Sequence, residues 1–481
     1  MNQNLTISQT DDRVLSTLEK DGSRRWLYPR LSPGRFWSRR RTVAYILLAV
    51  YALLPFLRIG GKPMILLDLA NRRLTLLGAT FLPTDTALLT MLLLIVLLSV
   101  FFITALLGRV WCGWACPQTV YMEFVFRPIE RLFTGRAGKG GKPAENVASW
   151  RKAMMYAAYL IICLHLANTF LAYFVPASVL HTWITASPAN HVAGFSIVAF
   201  LTALMMFNFA WFREQTCIIA CPYGRLQSVL LDKQSLVIRY DEARGEPRSK
   251  ATRLGVLQDQ KAGGDCVDCT VCVQVCPTGI DIRHGLQVEC IGCAQCIDAC
   301  DAVMEKINRP RGLIRYSSEG AMSGEQRRIL RPRVLIYLVI ILVLTGLLVF
   351  LLATRSAADV TLLRNVGRPF VVGQDGQIEN TMRIKITNRT DQAQDYRLSV
   401  VNAPEVRALM SGPALHIAPG EAVTEPVRIL APAKQFTLGR LDVTLRIAGE
   451  NGLQIDRPCR LLGPAVADSP TPSAGATDEH R

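Results

Sequence analysis

Eight cysteines in the second half of the chain have a spacing that can hold iron–sulfur clusters. They fall in two runs of the form C-x2-C-x2-C-x3-C, which are Cys266, Cys269, Cys272 and Cys276, then Cys290, Cys293, Cys296 and Cys300. In this bacterial spacing, the fourth thiolate of each run binds the cluster of the other run. The sequence therefore predicts two [4Fe–4S] clusters, which move single electrons. The first would be bound by Cys266, Cys269, Cys272 and Cys300, and the second by Cys290, Cys293, Cys296 and Cys276.

Zinc is the alternative metal that these two cysteine runs could bind. Zinc ribbons usually carry C-x2-C pairs that are separated by longer gaps, whereas this chain has two complete four-cysteine runs. Pro277 follows the first run, but Asp301 stands where the usual pattern has a second Pro. That Pro shapes a turn and is not a ligand, so its replacement leaves the predicted ligation unchanged. The spacing favours iron–sulfur clusters over zinc.

Four further cysteines form two matching C-x3-C-P motifs near the ends of apolar stretches. One pair is Cys112 and Cys116, and the other is Cys217 and Cys221, each pair being followed directly by Pro. Residues four apart share one face of a helix, and Pro hinders continuation of the helix. Each motif is therefore predicted to present two thiols on one helical face at the cytoplasmic surface of the membrane.

The two motifs also indicate an internal repeat. Two hairpins in the same orientation would bring the four thiols together. Soft sulfur ligands could hold Cu(I) or another metal, or the thiols could act as a redox pair. The alternative is that they are small buried residues. That alternative explains one pair better than two matching pairs beside a cluster-binding module.

Three other residues stand outside these motifs. Cys163 lies within an apolar stretch and is expected to pack there, and Cys459 has no local partner and no predicted role. His165 is an ionisable group inside a predicted membrane span, which makes it a functional candidate. A hydrogen bond from His165 to a helix carbonyl would explain it equally well.

The elements that position the cysteines are predicted to be membrane helices. The chain has 481 residues, 50% hydrophobic and 19% charged, with a net charge of +16. Soluble domains carry roughly 25% charged residues. A span needs about 20 mostly apolar residues, and such stretches predict five spans, at about 42–57, 86–108, 153–175, 192–212 and 333–354. The basic excess is expected to flank these spans, so no nucleic acid is predicted as a partner.

Loop charges predict the orientation. Residues 1–42 carry nine Lys and Arg and the loop 108–152 carries eight, whereas the loop 58–85 carries four and 176–191 none. Because basic loops stay in the cytoplasm, the N-terminal segment 1–41 and the region 213–332 are predicted to be cytoplasmic. That region contains the cluster-binding module, at about 258–305. Everything after residue 355 is predicted to lie on the opposite side of the membrane, outside the cytoplasm.

The last part of the chain is predicted to be all-β. Met382, Ile384 and Ile386 alternate with polar residues, as do the apolar residues of 441–447. This period of two is typical of strands with one buried face. About 100 residues of short strands fit an immunoglobulin-like sandwich, predicted at 355–465, followed by a disordered tail at 466–481. The predicted fold class is thus a multi-domain membrane protein with five transmembrane helices, an α+β two-cluster ferredoxin-like module and a C-terminal Ig-like sandwich.

The chain resembles the cytochrome c oxidase accessory proteins, the CcoG, FixG and RdxA group. The resemblance covers nearly the whole chain beyond its first 25 residues and rests on several motifs together. These are Gly60–Pro63, Trp111–Thr119, Cys217–Gly224, Arg244–Arg248, both cysteine runs with Asp301, Lys306–Pro310 and Gly312–Tyr316.

The resemblance implies a multi-pass protein of the bacterial inner membrane, with the Ig-like domain in the periplasm. It further implies reduction of Cu(II) to Cu(I), a cupric reductase activity, for assembly of the cbb-type oxidase. The implied partners are oxidase assembly factors and a copper transporter or chaperone. Because the sequence has no dinucleotide-binding glycine fingerprint, the electron donor is expected to be another protein or pool.

Two other functions stay open from the sequence. One is an electron-transfer subunit that feeds a periplasmic reductase, although related proteins of that kind lack the Ig-like domain. The other is a non-redox scaffold or cation-transport partner with structural clusters. Few charged groups lie within the predicted spans, so an ion path is poorly supported.

Overall fold

The computed structural model describes most of the chain. The described residues are 16–19, 21–136, 141–248, 264–322, 324–326, 330–365, 367–373, 375–390, 392–450 and 452–464. The predicted tail 466–481 and the start of the predicted module, 258–263, lie outside the described residues. Contacts divide the chain into two compact units, one of residues 1–81 and 86–349, the other of residues 82–85 and 350–481.

Helices dominate the first unit. In chain order the α-helices are α1 (Arg35–Leu53), α2 (Thr86–Leu107), α3 (Val110–Trp114), α4 (Pro117–Tyr121), α5 (Arg127–Thr134), α6 (Ser149–Leu171), α7 (Ala177–Thr185), α8 (Val192–Met206), α9 (Pro222–Leu230), α10 (Glu242–Gly245), α11 (Val271–Gln274), α12 (Gln295–Lys306), α13 (Glu319–Met322) and α14 (Pro332–Ala353). Within the described residues, four helical stretches are long and apolar enough to cross a membrane: Pro83–Leu107, Ser149–Leu171, Val192–Phe212 and Pro332–Ala353. The chain is therefore a membrane protein.

The first predicted span, 42–57, is not among these four stretches. The structure instead begins α1 at Arg35 and ends it at Leu53, with a 3₁₀ turn over Leu54–Phe56. The basic residues in the first two turns of α1 lower its mean hydropathy, and Pro55 lies at its end. The count of five spans therefore remains a prediction.

Three π-helical turns interrupt the helices of the first unit. They cover Met122–Phe126, Phe207–Phe212 and Thr216–Ala220. Such turns are rare and occur frequently at functional sites. The second continues α8, and the third contains Cys217, so the chain around the second cysteine motif departs from regular helix. An apolar core that includes Phe126, Tyr159 and Cys163 holds this region together.

Short strands complete the first unit. They are β1 (Arg58–Ile59), β2 (Lys62–Pro63), β3 (Ile65–Asp68), β4 (Arg73–Leu76), β5 (Ala79–Phe81), β6 (Val237–Tyr240) and β7 (Ile314–Ser317). Strands β6 and β7 pair antiparallel, with Arg239 opposite Arg315. This pair brackets the predicted cluster-binding module, whose short helices pack with the two strands around one core. The module is α+β, as the sequence predicts.

The second unit is a sandwich of two antiparallel sheets. Its strands are β8 (Ala358–Arg364), β9 (Val371–Val372), β10 (Gln377–Asn388), β11 (Gln394–Val400), β12 (Arg407–Leu409), β13 (Leu415–Ile417), β14 (Ala422–Pro432), β15 (Arg440–Gly449) and β16 (Gln454–Leu462). One sheet has the order β12-β14-β10-β8 with β9 beside β10, and the other has the order β13-β11-β15-β16. Ile384 and Ile386 of β10 and Ile447 of β15 are buried between them. The predicted all-β domain and its alternating buried face are thus confirmed.

An ion cluster lies at the start of this second unit. Asp85, which is 4% exposed, pairs with Arg355 and with Arg389 at 2.9 Å. Asp85 directly precedes α2, and Arg355 follows α14.

Candidate functional site

The first cavity in the module is lined by four of the predicted cluster ligands. Its thiols are Cys266, Cys269, Cys272 and Cys300. Tyr240, Met304 and Leu313 add an apolar wall, and Arg283 adds one guanidinium. The structure thus brings together the three cysteines of the first run with the last cysteine of the second.

The second cavity is lined by the other four predicted ligands. Its thiols are Cys276, Cys290, Cys293 and Cys296, and Cys272 of the first set lies on the shared wall. Four isoleucines exclude water from this cavity: Ile238, Ile280, Ile282 and Ile291. The crossed grouping of the fourth cysteines is the arrangement that two adjacent cubanes require.

The donor sets fit [4Fe–4S] clusters better than single ions. Within the described residues, no group of three or more His, Cys, Asp or Glu side chains converges tightly enough to hold one metal ion. The four thiolates of a cubane bind four different irons, so they surround a space rather than meet at a point. Two four-thiol, apolar cavities satisfy that geometry, and the assignment of individual ligands stays a prediction.

The two runs fold in the same way locally. Thr270 and Ala294, each directly after the second cysteine of its run, have left-handed backbones with φ of 54° and 62°. Each is the N-cap of the next helix, α11 or α12. This repeated turn places the third cysteine of each run on the first helical turn. Burial raises the pKa of Cys272 and Cys300 to about 12, so metal binding must displace their protons.

The structure corrects the predicted helical face of the C-x3-C-P motifs. Helix α3 carries Cys112 but ends at Trp114, and Cys116 has an extended backbone, with φ −61° and ψ 126°. Cys221 is likewise extended, before α9. The physical reason is the Pro after each second cysteine, because Pro disfavours helix in the residue before it and is well placed as the first residue of a new helix. Each pair therefore straddles a helix junction.

The four membrane-side thiols nonetheless lie together. Burial, with smaller contributions from the neighbouring Cys116 and Cys221 thiols, raises the pKa of Cys112 to about 12. Burial likewise raises the pKa of Cys217 to about 12, with added effects from Cys116, Cys112 and Cys221. Cys112 Sγ donates to Gln227 Oε1 over 3.4 Å. The structure therefore brings the thiols of the two motifs into one partly buried group.

A close backbone contact at Gly113 joins the two groups of cysteines. A Cβ at Gly113 would lie 2.7 Å from the Ile291 carbonyl oxygen and 2.8 Å from Gly292. Gly113 follows Cys112, and the other two residues stand between Cys290 and Cys293. The second cavity is thus separated from the membrane-side thiols by touching backbones.

Hydrogen bonds hold this contact in place. Tyr316 Oη donates to the Gly292 carbonyl at 2.7 Å and accepts from Trp114 Nε1 at 3.1 Å. Arg109 donates to the Cys290 carbonyl at 3.2 Å and to the Gly224 carbonyl at 2.9 Å. One guanidinium therefore links the second cysteine run to the residues after Cys221.

A buried ion network supports the other side of the second cavity. Arg127, 2% exposed, pairs with Glu123 and, at 3.7 Å, with Glu214. Arg127 also donates to the Pro277 carbonyl at 3.4 Å, and Gln295 Nε2 donates to Glu123 at 3.2 Å. Sequence reasoning missed these residues, because their charges lie between predicted spans and have no recognisable spacing.

The remaining candidates lie apart from this site. Cys163 is fully buried in the apolar core near Phe126. Cys459 is buried in the sandwich with its Sγ 3.2 Å from Met382 Sδ. His165 is exposed on α6. Within the described part of the first unit, neither Cys163 nor His165 is among the residues that line the cysteine cavities.

Comparisons with known proteins agree with this geometry. A 4Fe-4S dicluster domain matches residues 212–319, and a 4Fe-4S binding domain matches 89–136. The IG-like fold found at the C-terminus of FixG matches residues 348–464. The chain is thus an iron–sulfur membrane protein of the oxidoreductase or electron-transfer class.

Relatives that align with most of this chain identify the family to which it belongs. It is 34% identical over 434 residues to protein RdxA of Cereibacter sphaeroides, covering 85% of this chain and 89% of that protein. It is 31% identical over 481 residues to the nitrogen fixation protein FixG of Rhizobium meliloti, covering 90% of each. A solved FixG-related protein from Vibrio parahaemolyticus aligns with 23% of this chain and 98% of its own, at 21% identity and a TM-score of 0.21. The chain belongs to the FixG/RdxA family.

Proposed function

We propose that this protein carries electrons from the cytoplasmic side through its two cysteine-lined cavities to the thiols of Cys112, Cys116, Cys217 and Cys221. The observation that carries the proposal is the packing of Gly113 on the Ile291–Gly292 loop. This contact puts the backbone beside Cys112 directly against the loop between two predicted ligands of the second cluster.

Each group of residues has a defined task in this function. A [4Fe–4S] cluster, when bound, supplies reversible one-electron transfer. The eight cysteines of the module would hold two such clusters, and the isoleucines of the second cavity exclude water. Arg109 fixes the distance between that cavity and the membrane-side thiols through its bonds to both segments.

We propose Cu(II) as the substrate at the membrane-side thiols. One electron converts it to Cu(I), which soft sulfur ligands prefer. Because burial raises the pKa of Cys112 and Cys217 to about 12, Cu(I) must displace protons to bind these thiols.

The proposed setting is the bacterial inner membrane, where Cu(I) would supply assembly of a cbb-type oxidase. The proposed partners are oxidase assembly factors and a copper transporter or chaperone. This setting rests on the family, whose sequence motifs run through the whole chain.

Paired cysteine variants test the function. In full-length protein purified without oxygen, Cys112→Ser/Cys116→Ser and Cys217→Ser/Cys221→Ser should each slow Cu(II) reduction by at least about tenfold, because hydroxyls bind Cu(I) poorly. Both should keep about eight iron and eight sulfide per chain, as two cubanes require. Cys163→Ser is the matched control, since that thiol is buried away from the site.

Two outcomes would count against the proposal. Undiminished copper reduction in both double variants would make these cysteines packing residues and favour delivery of electrons to a separate periplasmic reductase. Stoichiometric zinc with little iron would remove electron transfer altogether and leave a scaffold.

A further inference from the structure

Two buried arginines flank the second cluster cavity. Arg40 on α1 is 0% exposed, and its Nε donates to the Gly113 carbonyl at 2.8 Å. Arg109 is 7% exposed and donates to the Cys290 carbonyl at 3.2 Å. Because Gly113 packs on the loop between Cys290 and Cys293, both guanidinium groups lie beside that loop.

The charges of these arginines are only weakly balanced. Neither Nη1 nor Nη2 of Arg40 has a hydrogen-bond partner within the described residues. Arg109 donates to main-chain carbonyls, and no carboxylate pairs with it in the part of the chain that the structure describes. The acidic groups that act on the two side chains at longer range are Asp298 for Arg40 and Glu289 for Arg109.

The first cavity has the opposite balance. Its one guanidinium, Arg283, pairs with Asp268 at 2.5 Å and with Asp281 at 2.6 Å. Asp301 adds a further carboxylate next to Cys300. Unlike Arg40 and Arg109, the guanidinium at the first cavity is therefore paired with carboxylates, and the predicted ligand Cys269 is exposed.

We infer that Arg40 and Arg109 hold the second cluster at a higher potential than the first, and so direct electrons inward from the exposed Cys269 edge. Reduction adds one negative charge to a cluster, and burial alone would disfavour that charge. A nearby cation in a medium of low dielectric stabilises the charge strongly. Hydrogen bonds, charge and solvent exposure are the properties through which a protein sets cluster potentials.

The inferred step moves one electron and no atoms. The site of Cys266, Cys269, Cys272 and Cys300 loses the electron, and the site of Cys276, Cys290, Cys293 and Cys296 gains it. An external one-electron donor restores the first site. The direction rests on the proposed function, because the membrane-side thiols are the acceptor beyond the second site.

A redox titration followed by electron paramagnetic resonance tests the inference on anaerobic full-length protein. Arg40→Gln and Arg109→Gln should each shift the higher of the two midpoint potentials to a more negative value and leave the lower one in place. Arg40→Lys keeps the charge, so its higher midpoint potential should lie close to the wild-type value. Arg39→Gln is the matched control, since Arg39 is the exposed neighbour of Arg40 on the same helix.

The outcomes are decisive in either direction. The inference is wrong if Arg40→Gln and Arg109→Gln shift the lower midpoint potential, or if they shift neither potential, while both clusters remain bound. Arg40→Gln decides the matter alone if the Arg109 variant fails to fold. Because the potentials are read without copper, this result is independent of whether the membrane-side thiols reduce copper.

Discussion

At the scale of residues, Gly113 is where the proposed electron path passes between two packed backbones. Its α3 backbone is ordinary, so the requirement for glycine comes from space and not from conformation. Carbonyl oxygens and backbone atoms of Ile291 and Gly292 leave no room for a side chain. These atoms belong to main chain on both sides, which makes relief by a small side-chain rotation impossible.

Gly113→Ala should therefore push the two loops apart. We expect the free energy of unfolding to fall by about 1–3 kcal/mol, as for other overpacked sites, and copper reduction to slow while iron content stays unchanged. Denaturant unfolding and copper-reduction rates on the same preparation measure both effects.

Gly346→Ala supplies the control for Gly113→Ala. No atom lies within 4 Å of a Cβ at Gly346, and Ala favours helix over Gly by about 1 kcal/mol. Wild-type copper reduction in Gly113→Ala would show that the contact does not serve electron transfer.

At the scale of elements, helix α1 is capped by a residue far away in sequence. Gly34 at its N-cap has no side chain to offer. The Asp298 carboxylate of α12 accepts from the Phe36 and Trp37 backbone N–H groups at 3.0 and 2.7 Å. The same helix α12 carries Cys296 and Cys300, so the cap also ties α1 to the module.

Asp298→Ala should free the start of α1. Loss of a cap costs about 1 kcal/mol, and the loss of a carboxylate at the positive end of the helix adds to it. We expect a lower midpoint of unfolding and faster proteolysis between residues 30 and 41.

Glu305→Ala is the comparison for Asp298→Ala. Glu305 lies on the same helix, but its pair with Arg311 is on the surface, where ion pairs contribute little. Equal effects from the two variants would mean that Asp298 does not act as a cap.

The capping contact explains why the sequence could not locate the start of α1. Hydropathy could predict an apolar run from 42, but the helix begins at Arg35, because its cap comes from a residue more than 250 positions later. Similarly, C-x3-C-P spacing could predict that Cys112 and Cys116 act together. It could not show that Pro117 begins a new helix and leaves Cys116 extended.

Other features were predictable because they depend on local spacing or periodicity. The cysteine runs could predict the crossed grouping of thiols, since the turn geometry repeats within each run. Alternation of polar and apolar residues could predict β10 and β15. Arg40 and Arg109 could not be recognised, because nothing in sequence distinguishes them from basic residues that flank spans.

At the scale of the whole molecule, α1 is bonded to other segments of the first unit near both of its ends. Its first turns hold Arg40 beside Gly113, and near its end the Tyr51 carbonyl accepts from Tyr173 Oη at 2.8 Å, just beyond the end of α6. We predict that α1 crosses the membrane despite its basic residues, which would put the N-terminal segment and the module on the same, cytoplasmic side.

Reporter fusions test this topology. A fusion at residue 320 should report the cytoplasm and one at residue 470 the periplasm, because α14 alone separates these regions and basic loops stay inside. A fusion at residue 145 is expected to agree with the one at 320. Reporters on the same side at 320 and 470 would contradict the topology.

The contact between Gly113 and the Ile291–Gly292 loop also constrains how the protein is made. These segments are about 180 residues apart in the chain, and α6 and α8 are synthesised between them. Ribosomes add roughly 5–20 residues per second. Arg40, Arg109 and the first thiol pair are therefore made on the order of ten seconds or more before the Ile291–Gly292 loop that packs on them. During that interval these groups are not yet covered by the Ile291–Gly292 loop, so the site is completed only after α6 and α8 have been made.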